Sequence, residues 1–422
     1  MINQLLTPIL DGGIRSTYFF NGRLLSAEDL RQEQNAQQRA YQQLGRALGD
    51  GVAYGLRVAE NTVTGTKTEP VVTVTAGLGL NRAGQTIELT SDLDVALTRP
   101  SQPGGASVTA LFADCPSLPT AGSAIAGQGV YLLTIKPAAG TEGRAPVSGL
   151  GNIDAACNAK YQVNGVQLRL IQLNVSTGPA GSPEWARLRN RVAHQCYGSS
   201  DTRIRDFLAN PFGPNVAGYG LIDDLRSTCL TDDEVPLAVI YWTTEGIQFI
   251  DEWAARRRIT HPIADTTWPL LVADRRIAEA EAMFLQFEAH IEYIRDKESG
   301  LATLPATDRF EYLPPVGLLP IIGQNSPNGF NWSTFFGSLA PERLDVTDAS
   351  LLPYLIRESF QHQPIGVNDA ALGQVTLYLI RENADAVQAG VTNQLALIFA
   401  RPGVAYSGVS RFEYGGWDVS QF

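Results

Sequence analysis

Few residues in this chain have the types and spacing that metal chemistry needs. The four histidines are scattered, and only His194 has a cysteine close by, at Cys196. A zinc site takes four protein ligands, or three and a water molecule, but neither Cys-x-x-Cys nor His-Glu-x-x-His spacing occurs. We therefore expect no metal ion, and we interpret His194 and Cys196 as neighbours on a structural helix.

The acidic, glycine and arginine motifs also fail as sites. Asp92 with Asp94, and the run Asp232–Glu234, lack the glycine-centred spacing of a calcium loop. The Gly-Leu-Gly at 77–79 has no third glycine at the dinucleotide-binding spacing, and Arg256–Arg258 favours a salt-bridged surface over a phosphate site. We expect no cofactor and no enzymatic activity. A cell-wall hydrolase stays an alternative, because paired carboxylates can come from distant positions.

The composition is that of a globular protein with a sizeable core. The chain has 422 residues, 44% of them hydrophobic and 18% charged, which suggests roughly two to three domains. The net charge of -11 disfavours nucleic acid as a partner. Only four of the 32 basic residues are lysines, and arginine is the basic residue enriched at protein interfaces. A GC-rich genome would produce the same bias.

The N-terminal residues and the lengths of the apolar runs indicate the cellular compartment. The opening MINQLLTPILDGG has no basic residue before its apolar residues, unlike a signal peptide. No apolar run approaches the roughly 20 residues that cross a bilayer. We expect a cytoplasmic protein without a membrane span, whose four cysteines are reduced.

The first predicted element of secondary structure is a polar helix near residues 27–48. Ser26 is its predicted cap and Gly49 its end. Its apolar stripe is thin, with Tyr41 and Leu44 near the end and glutamines between. Such a helix lies on the surface or pairs with a partner through amide hydrogen bonds. Tyr41 and Leu44 are therefore candidate interface residues, as are the aromatic Trp417 and Phe422 of the C-terminal tail.

A second, longer helix is predicted near residues 268–297. Its apolar residues repeat at spacings of three and four, as in a coiled-coil seam: Leu270, Ala273, Ile277, Ala280, Phe284, Phe287, Ile291 and Ile294. The seam needs a partner, which is either the helix at 27–48 or the same helix of a neighbouring subunit. Phe284→Asp and Phe287→Asp are each expected to cost several kcal/mol, because each would bury a charge.

The rest of the chain indicates an α+β, strand-rich, multi-domain protein with β-sandwich-like units. Val72 and Val74 alternate with threonines, as on a half-buried strand, and Val235–Trp242 starts a hairpin. A change of apolar phase at Ile171 predicts a β-bulge. We divide the chain into an arm and helix (1–50), a strand-rich domain (51–262) with a loop insertion (101–129), the long helix (263–300) and a C-terminal strand-rich domain (301–422).

Several segments together resemble a known family. They include YFFNGRLL at 18–25, VTVTAGLGL at 72–80, VPLAVIYW at 235–242, FEYLPPVGLLP at 310–320 and VTLYLIREN at 375–383. The sequence is similar to proteins of bacterial contractile injection systems, the phage-tail-like particles with sheath, tube and baseplate. The matched segments are spread over most of the chain and carry no catalytic motif.

The resemblance implies a structural subunit of the baseplate, or of a cage around it, present in several symmetric copies and contacting other subunits of the particle. The residues themselves leave two alternatives open. One is a glycan- or cell-envelope-binding module, motivated by aromatic residues such as Trp332 and Trp417 in strand-rich domains. The other is the cell-wall hydrolase mentioned above.

Overall fold

The computed structural model is a strand-rich α+β chain with several sheets, which confirms the predicted class. It describes residues 10–97, 129–144, 159–203, 218–260, 274–322, 328–342, 344–360, 362–369, 373–391 and 394–404. Within these ranges the helices are α1 (Ala27–Leu48), α2 (Pro183–Ala186), α3 (Leu188–Tyr197), α4 (Gly220–Arg226), α5 (Glu252–Ala255), α6 (Asp274–Lys297), α7 (Trp332–Phe336), α8 (Leu352–Ser359) and α9 (Arg381–Gln388).

The strands run through the whole described chain. They are β1 (Gly51–Gly55), β2 (Val58–Glu60), β3 (Val71–Val74), β4 (Gly77–Leu80), β5 (Thr86–Leu89), β6 (Leu93–Ala96), β7 (Gly129–Arg144), β8 (Ala159–Leu173), β9 (Val235–Thr243), β10 (Gly246–Asp251), β11 (Tyr312–Leu313), β12 (Val316–Ile321), β13 (Asp345–Thr347), β14 (Ile365–Gly366), β15 (Thr376–Ile380) and β16 (Leu395–Ala400). The division into four segments stays a prediction, and most of the expected insertion at 101–129 lies outside the described residues.

A central antiparallel sheet has the strand order β10-β9-β7-β8. Successive side chains of a strand point to opposite faces, and here both faces are buried. On β7, Leu132 packs with α3 and α5, whereas Leu133 packs with the N-terminal strands. The sheet is therefore a layer between two cores, which explains the nearly continuous apolar sequence of β9.

The prediction of a β-bulge near Ile171 is wrong. The register of β7 with β8 is regular there, with Leu133 opposite Leu170 and Leu132 opposite Ile171. Leu170 faces the core shared with the N-terminal strands, and Ile171 faces the core shared with the helices. The apolar residues of β8 shift from one face of the strand to the other because each face packs against a different core.

The N-terminal strands form two small antiparallel sheets, β1-β4-β5 and β2-β3-β6. The predicted alternation on β3 is confirmed, since Val72 and Val74 are fully buried and Thr73 is half-buried. The turn between β4 and β5 closes with the Gly84 amide donating to the Asn81 carbonyl. These small sheets cover one face of the central sheet, in a sandwich-like arrangement.

The C-terminal part is built on the sheet β12-β16-β15-β13, in which only β13 and β15 are parallel among the described strands. It too is buried on both faces. Phe399 of β16 packs with Phe287 of α6, their ring centroids 5.2 Å apart. On the other face Ile398 packs with Leu355 of α8. Strand β16 pairs with both β12 and β15 and therefore lies inside this sheet.

Helix α6 links the two halves of the molecule. Its middle residues Ala282 and Met283 belong to the core of the central sheet, whereas Phe287, Ile291 and Ile294 belong to the C-terminal core. Its main neighbours are α3, α5, β12 and α8. The helix at 27–48, which we proposed as its partner, is not among these main neighbours.

Candidate interaction surface

His194 and Cys196 are both buried in the core. The Nδ1 atom of His194 is 2.7 Å from the Ser199 hydroxyl oxygen, and its ring stacks on Tyr312. Burial lowers the pKa of His194 to about 3 and raises the pKa of the Cys196 thiol to about 12. Both side chains are therefore uncharged at neutral pH, which agrees with the structural role we predicted.

The acidic motifs hold turns and strands together. Asp92 accepts a hydrogen bond from the Ala76 amide at 2.8 Å, and Asp94 accepts one from the Thr73 hydroxyl at 2.6 Å. The bonds that Asp94 accepts from Thr73 and then Asn61 lower its pKa. Glu234 is buried and accepts two bonds from the Arg169 guanidinium.

The Arg256–Arg258 run closes the end of α5. Arg256 donates to the Leu56 carbonyl at 3.0 Å, and Arg257 donates to three carbonyls around α5, those of Trp253, Ala254 and Arg256. Arg258 forms an ion pair with Glu281 at 3.3 Å. The predicted salt-bridged surface therefore describes Arg258, whereas the other two arginines bond main-chain oxygens.

The part of the chain that the structure describes contains no group of three or more histidine, cysteine or acidic side chains placed to hold a metal ion. Among the described helices, none combines the length and apolar character needed to cross a membrane.

The feature that does stand out is an arm that precedes α1 and is fixed to it through Thr17 and Arg23. Thr17 is buried, its amide donating to the Glu33 carboxylate at 3.0 Å and its hydroxyl to the Asp29 carbonyl at 2.9 Å. Arg23 then donates to the Tyr18 carbonyl and forms an ion pair with Asp29. The arm is thus folded back onto the first turns of the helix.

The start of α1 is capped as the sequence predicted. The Ser26 hydroxyl accepts the Asp29 amide at 3.1 Å, and the Asp29 carboxylate accepts the Ser26 amide at 2.9 Å. These bonds with Ser26 lower the pKa of Asp29, with Arg23 adding to the effect. Such a capping box satisfies two amides that the helix itself cannot pair.

Large apolar side chains of the arm and of α1 are exposed. Tyr18 is 80% exposed, Leu24 93%, Tyr41 72% and Leu44 60%. Nine of these residues, which we call the N-terminal apolar surface, are Tyr18, Phe19, Phe20, Leu24, Leu25, Leu30, Tyr41, Leu44 and Leu48; Leu10 and Ile14, nearer the start of the arm, are also exposed. Contiguous exposed apolar patches mark interaction sites, and five of these nine residues fall within positions 18–25.

A wide groove of about 1120 Å³ runs beside this surface, between α1 and the strands β4, β5, β7 and β8. Tyr41, Leu44 and Leu48 line its helix side, and Leu78 and Val166 line its strand side. The spacing of 41, 44 and 48 puts these three side chains on one helix face. Glutamines also line the groove, and their amides can pair a polar partner: Gln34, Gln37, Gln38, Gln42, Gln85 and Gln162.

Two glycines set the distance between α1 and the body of the protein. A Cβ atom on Gly45 would overlap the Gly84 carbonyl oxygen, and one on Gly84 would overlap the Gln42 carbonyl oxygen. Gly84 also has φ +82°, a left-handed conformation that favours glycine. The helix is therefore attached by a close main-chain contact near its end, while most of its side chains stay outside.

The predicted interface residues differ in their exposure to solvent. Tyr41 and Leu44 are exposed, whereas Phe287, Ile291 and Ile294 of the seam are buried within the chain and Ile277 and Phe284 are half-buried. Leu270, Ala273, Trp417 and Phe422 lie outside the described residues. Trp332, which motivated the glycan-binding alternative, packs against the C-terminal core.

Sequence reasoning missed the arm as part of the candidate surface. The resemblance used Tyr18–Leu25 as a matching segment but assigned it no contact. A usable signal was present, because Tyr18, Phe19 and Phe20 are consecutive. In a helix or a strand, three consecutive side chains cannot all face one core.

Comparisons with known proteins add little to this geometry. The chain matches none of the protein-family models and none of the curated proteins. Five chains of solved structures match it, among them one described as the crystal structure of TssK, with 11% sequence identity and a TM-score of 0.21. That alignment covers 49% of this chain and 51% of the TssK chain, so the chain spans about half the length of the structure it matches.

Proposed function

We propose that this protein is a structural subunit of a phage-tail-like contractile injection particle, placed in the baseplate or in a cage around it, and that it acts by packing against other subunits. The observation that carries the proposal is the N-terminal apolar surface with its adjoining groove. It supplies exposed aromatic side chains, which are enriched at protein interfaces, together with exposed leucines that another subunit can bury.

The surrounding chemistry supports an interaction role over catalysis. The acidic and histidine motifs that we considered as sites are engaged in turns, ion pairs or the core. The resemblance stated from the sequence supplies the kind of particle. Several symmetric copies of the subunit, each contributing its N-terminal apolar surface to a neighbouring subunit, would cover the exposed residues.

The first test is to purify intact particles from the native host and to identify their peptides by mass spectrometry. We expect this protein among the components at a fixed ratio to the others. Cross-links from the particle should involve the arm and α1. Absence of the protein from intact, contraction-competent particles would refute the proposal.

The second test is a variant with Leu24→Asp, Tyr41→Asp and Leu44→Asp together, expressed in place of the native protein. Because these side chains are exposed, the chain should fold normally while particle assembly is lost. Gln32→Asp on the same helix is the matched control, since Gln32 is exposed and does not line the groove. Normal assembly of the triple variant would show that this surface is not the interface.

A further inference from the structure

A second cavity, of about 330 Å³, lies where the end of α1, the β4–β5 turn, α4, the start of β9 and the first turns of α6 meet. Its volume is at the small end of those of small-molecule sites. Part of its wall is apolar, formed by Ile222, Val235 and Ala278. The remainder of the wall is dominated by charged side chains.

The charges of this cavity do not balance. Arginines reach it from separate parts of the chain: Arg46, Arg82, Arg226, Arg257 and Arg275. The carboxylates that line it are Asp50, Asp223 and Glu279. Five guanidinium groups against three carboxylates leave a formal excess of two positive charges in a partly enclosed space, where charges interact more strongly than in water.

Two of the arginines are held by built-in partners and form a fixed wall. Arg275 donates to Glu279 at 2.8 Å, to Asp223 at 2.5 Å and to the Tyr219 carbonyl at 3.0 Å. Arg257 donates to the carbonyls at the end of α5 described above. Neither guanidinium needs a further ligand.

Arg226 is different, because its side chain is only 9% exposed and yet poorly paired. Nη1 donates one long bond, of 3.3 Å, to the Thr231 carbonyl, and the nearest oxygens of Asp50 and Asp232 are 3.7 and 3.8 Å away. Its Nε has no hydrogen-bond partner among the described residues. A guanidinium offers five N–H donors, and a buried donor without a partner is costly.

Two other arginines extend the same positive wall. Arg82 reaches Asp50 and Asp223 only at 3.3 Å. Arg46 stands exposed in the last turn of α1 and lines the cavity. The repulsion between Arg82 and Arg226 adds to burial in lowering the pKa of Arg226. An anion placed among these three guanidinium groups would relieve that repulsion.

We propose that this cavity binds the phosphate group of a small ligand, with Arg226, Arg82 and Arg46 as its charge partners. Arginine pairs phosphate bidentately, and a phosphate group offers more acceptor oxygens to these three guanidinium groups than a monocarboxylate does. The chain's net charge of -11 disfavours a long polyanion, which points to a small molecule. Free phosphate and a phosphate ester share this chemistry.

The test is titration calorimetry on the full chain with sodium phosphate and with adenosine monophosphate, at an ionic strength held constant with sodium chloride. We expect saturable binding of at least one of the two, and a higher melting temperature with that ligand than with chloride alone. Binding of both assigns the site to the phosphate group itself. Binding of the ester alone assigns it to a phosphorylated small molecule.

Two variants test the residues. Arg226→Met should abolish binding, and Arg46→Glu, which changes an exposed side chain and leaves folding intact, should weaken it about tenfold or more. Arg39→Glu is the matched control on α1, with the same charge change outside the cavity. No saturable binding of either ligand to the folded protein, or equal binding by Arg46→Glu and Arg39→Glu, would overturn the assignment. The proposed assembly role does not depend on this result.

Discussion

Helices α1 and α6 have nearly the same length, 22 and 24 residues, but they differ in which side chains they bury. Helix α1 buries Ala36 and Gly45 and exposes Tyr41, Leu44 and Leu48. Helix α6 buries ten of its 24 residues, including the polar Glu279, Gln286 and His290. An apolar side chain on one helix is thus left outside, while a charged side chain on the other is taken into the core.

The difference lies in what surrounds each helix. The Glu279 carboxylate accepts hydrogen bonds from Arg275 and from the Tyr219 hydroxyl, and a buried polar group is tolerated when it is paired in this way. The Gln286 side-chain nitrogen donates to Asp251 at 2.9 Å, whereas its Oε1 and the His290 Nδ1 have no partner among the described residues. The exposed residues of α1 face a groove that is open. Helix α6 therefore serves the fold of its own chain, and α1 is available for contact with another.

The largest contrast should appear when the same change is made at two seam positions of α6. Phe287→Asp puts a carboxylate into a core where the ring is 1% exposed and contacts Phe310 and Phe399, and it should lower the free energy of unfolding by about 4 kcal/mol or more. Phe284→Asp should cost only about 1–2 kcal/mol, because a half-buried carboxylate keeps part of its hydration.

From the sequence alone we expected each of these two changes to cost several kcal/mol, and the burial of the two rings now predicts different costs. Urea denaturation of both variants, followed by far-UV circular dichroism, measures the two free energies of unfolding. Equal losses would mean that the half-buried position of Phe284 is buried in solution, for instance by a partner.

A change at the attachment point of α1 should release that helix and leave the rest folded. Gly45→Val places a side chain against the Gly84 carbonyl oxygen, and we expect a local loss of about 2 kcal/mol, because the overlap is with main chain that cannot move aside. Hydrogen exchange should become faster in α1 and stay unchanged in α6. Ala40→Val, at an exposed position of α1, is the control. Unchanged protection of α1 in Gly45→Val would argue against the contact with Gly84.

The two helices should also differ in their response to pH. Burial raises the pKa of Glu288, on α6, to about 8. The folded chain therefore binds this proton more tightly than the unfolded chain, whose reference pKa is 4.5. Its contribution to stability is complete below the unfolded pKa and is lost as the pH rises through about 8. By contrast, hydrogen bonds with Ser26 lower the pKa of Asp29 on α1.

Glu288→Gln should remove this dependence while keeping an oxygen that can accept the Leu318 amide, 2.8 Å away in the native chain. We expect the variant to be more stable than the native protein by about 1–2 kcal/mol at pH 8.5 and nearly equal to it at pH 5. Melting curves across this range measure the difference. A constant difference between pH 5 and pH 8.5 would contradict the raised pKa.

The smallest effect on stability should come from the exposed residues of α1. Tyr41→Ala and Leu44→Ala should each change the free energy of unfolding by no more than about 0.5 kcal/mol, because neither side chain is packed in the described structure. If the proposed function is correct, both should nevertheless weaken binding to a neighbouring subunit. A loss of several kcal/mol in the isolated chain would show that α1 belongs to the core of its own chain.

Much of the local structure could be predicted from the sequence because it rests on local chemistry. Ser26 and Gly49 mark the ends of α1, and alternating valines mark β3. The exposed position of Tyr41 and Leu44 agrees with the prediction of a surface helix. The helix at 27–48, proposed as a possible partner of the long helix, is not among its main neighbours, and the prediction of a bulge at Ile171 is wrong. Both predictions depended on which other segments cover each face of the helix or strand.

The α+β class, the two long helices, several strands and the scarcity of metal and cofactor motifs could be recognised from the sequence. These features follow from periodicity and from capping and turn residues, which act over a few positions. The folded structure was needed to show that β8 contributes to two cores, that Phe287 is buried more deeply than Phe284, and that Arg46, Arg82, Arg226, Arg257 and Arg275 line one cavity. Burial and charge pairing bring together residues that are far apart in the chain. Such contacts cannot be predicted from the spacing of residues along the sequence.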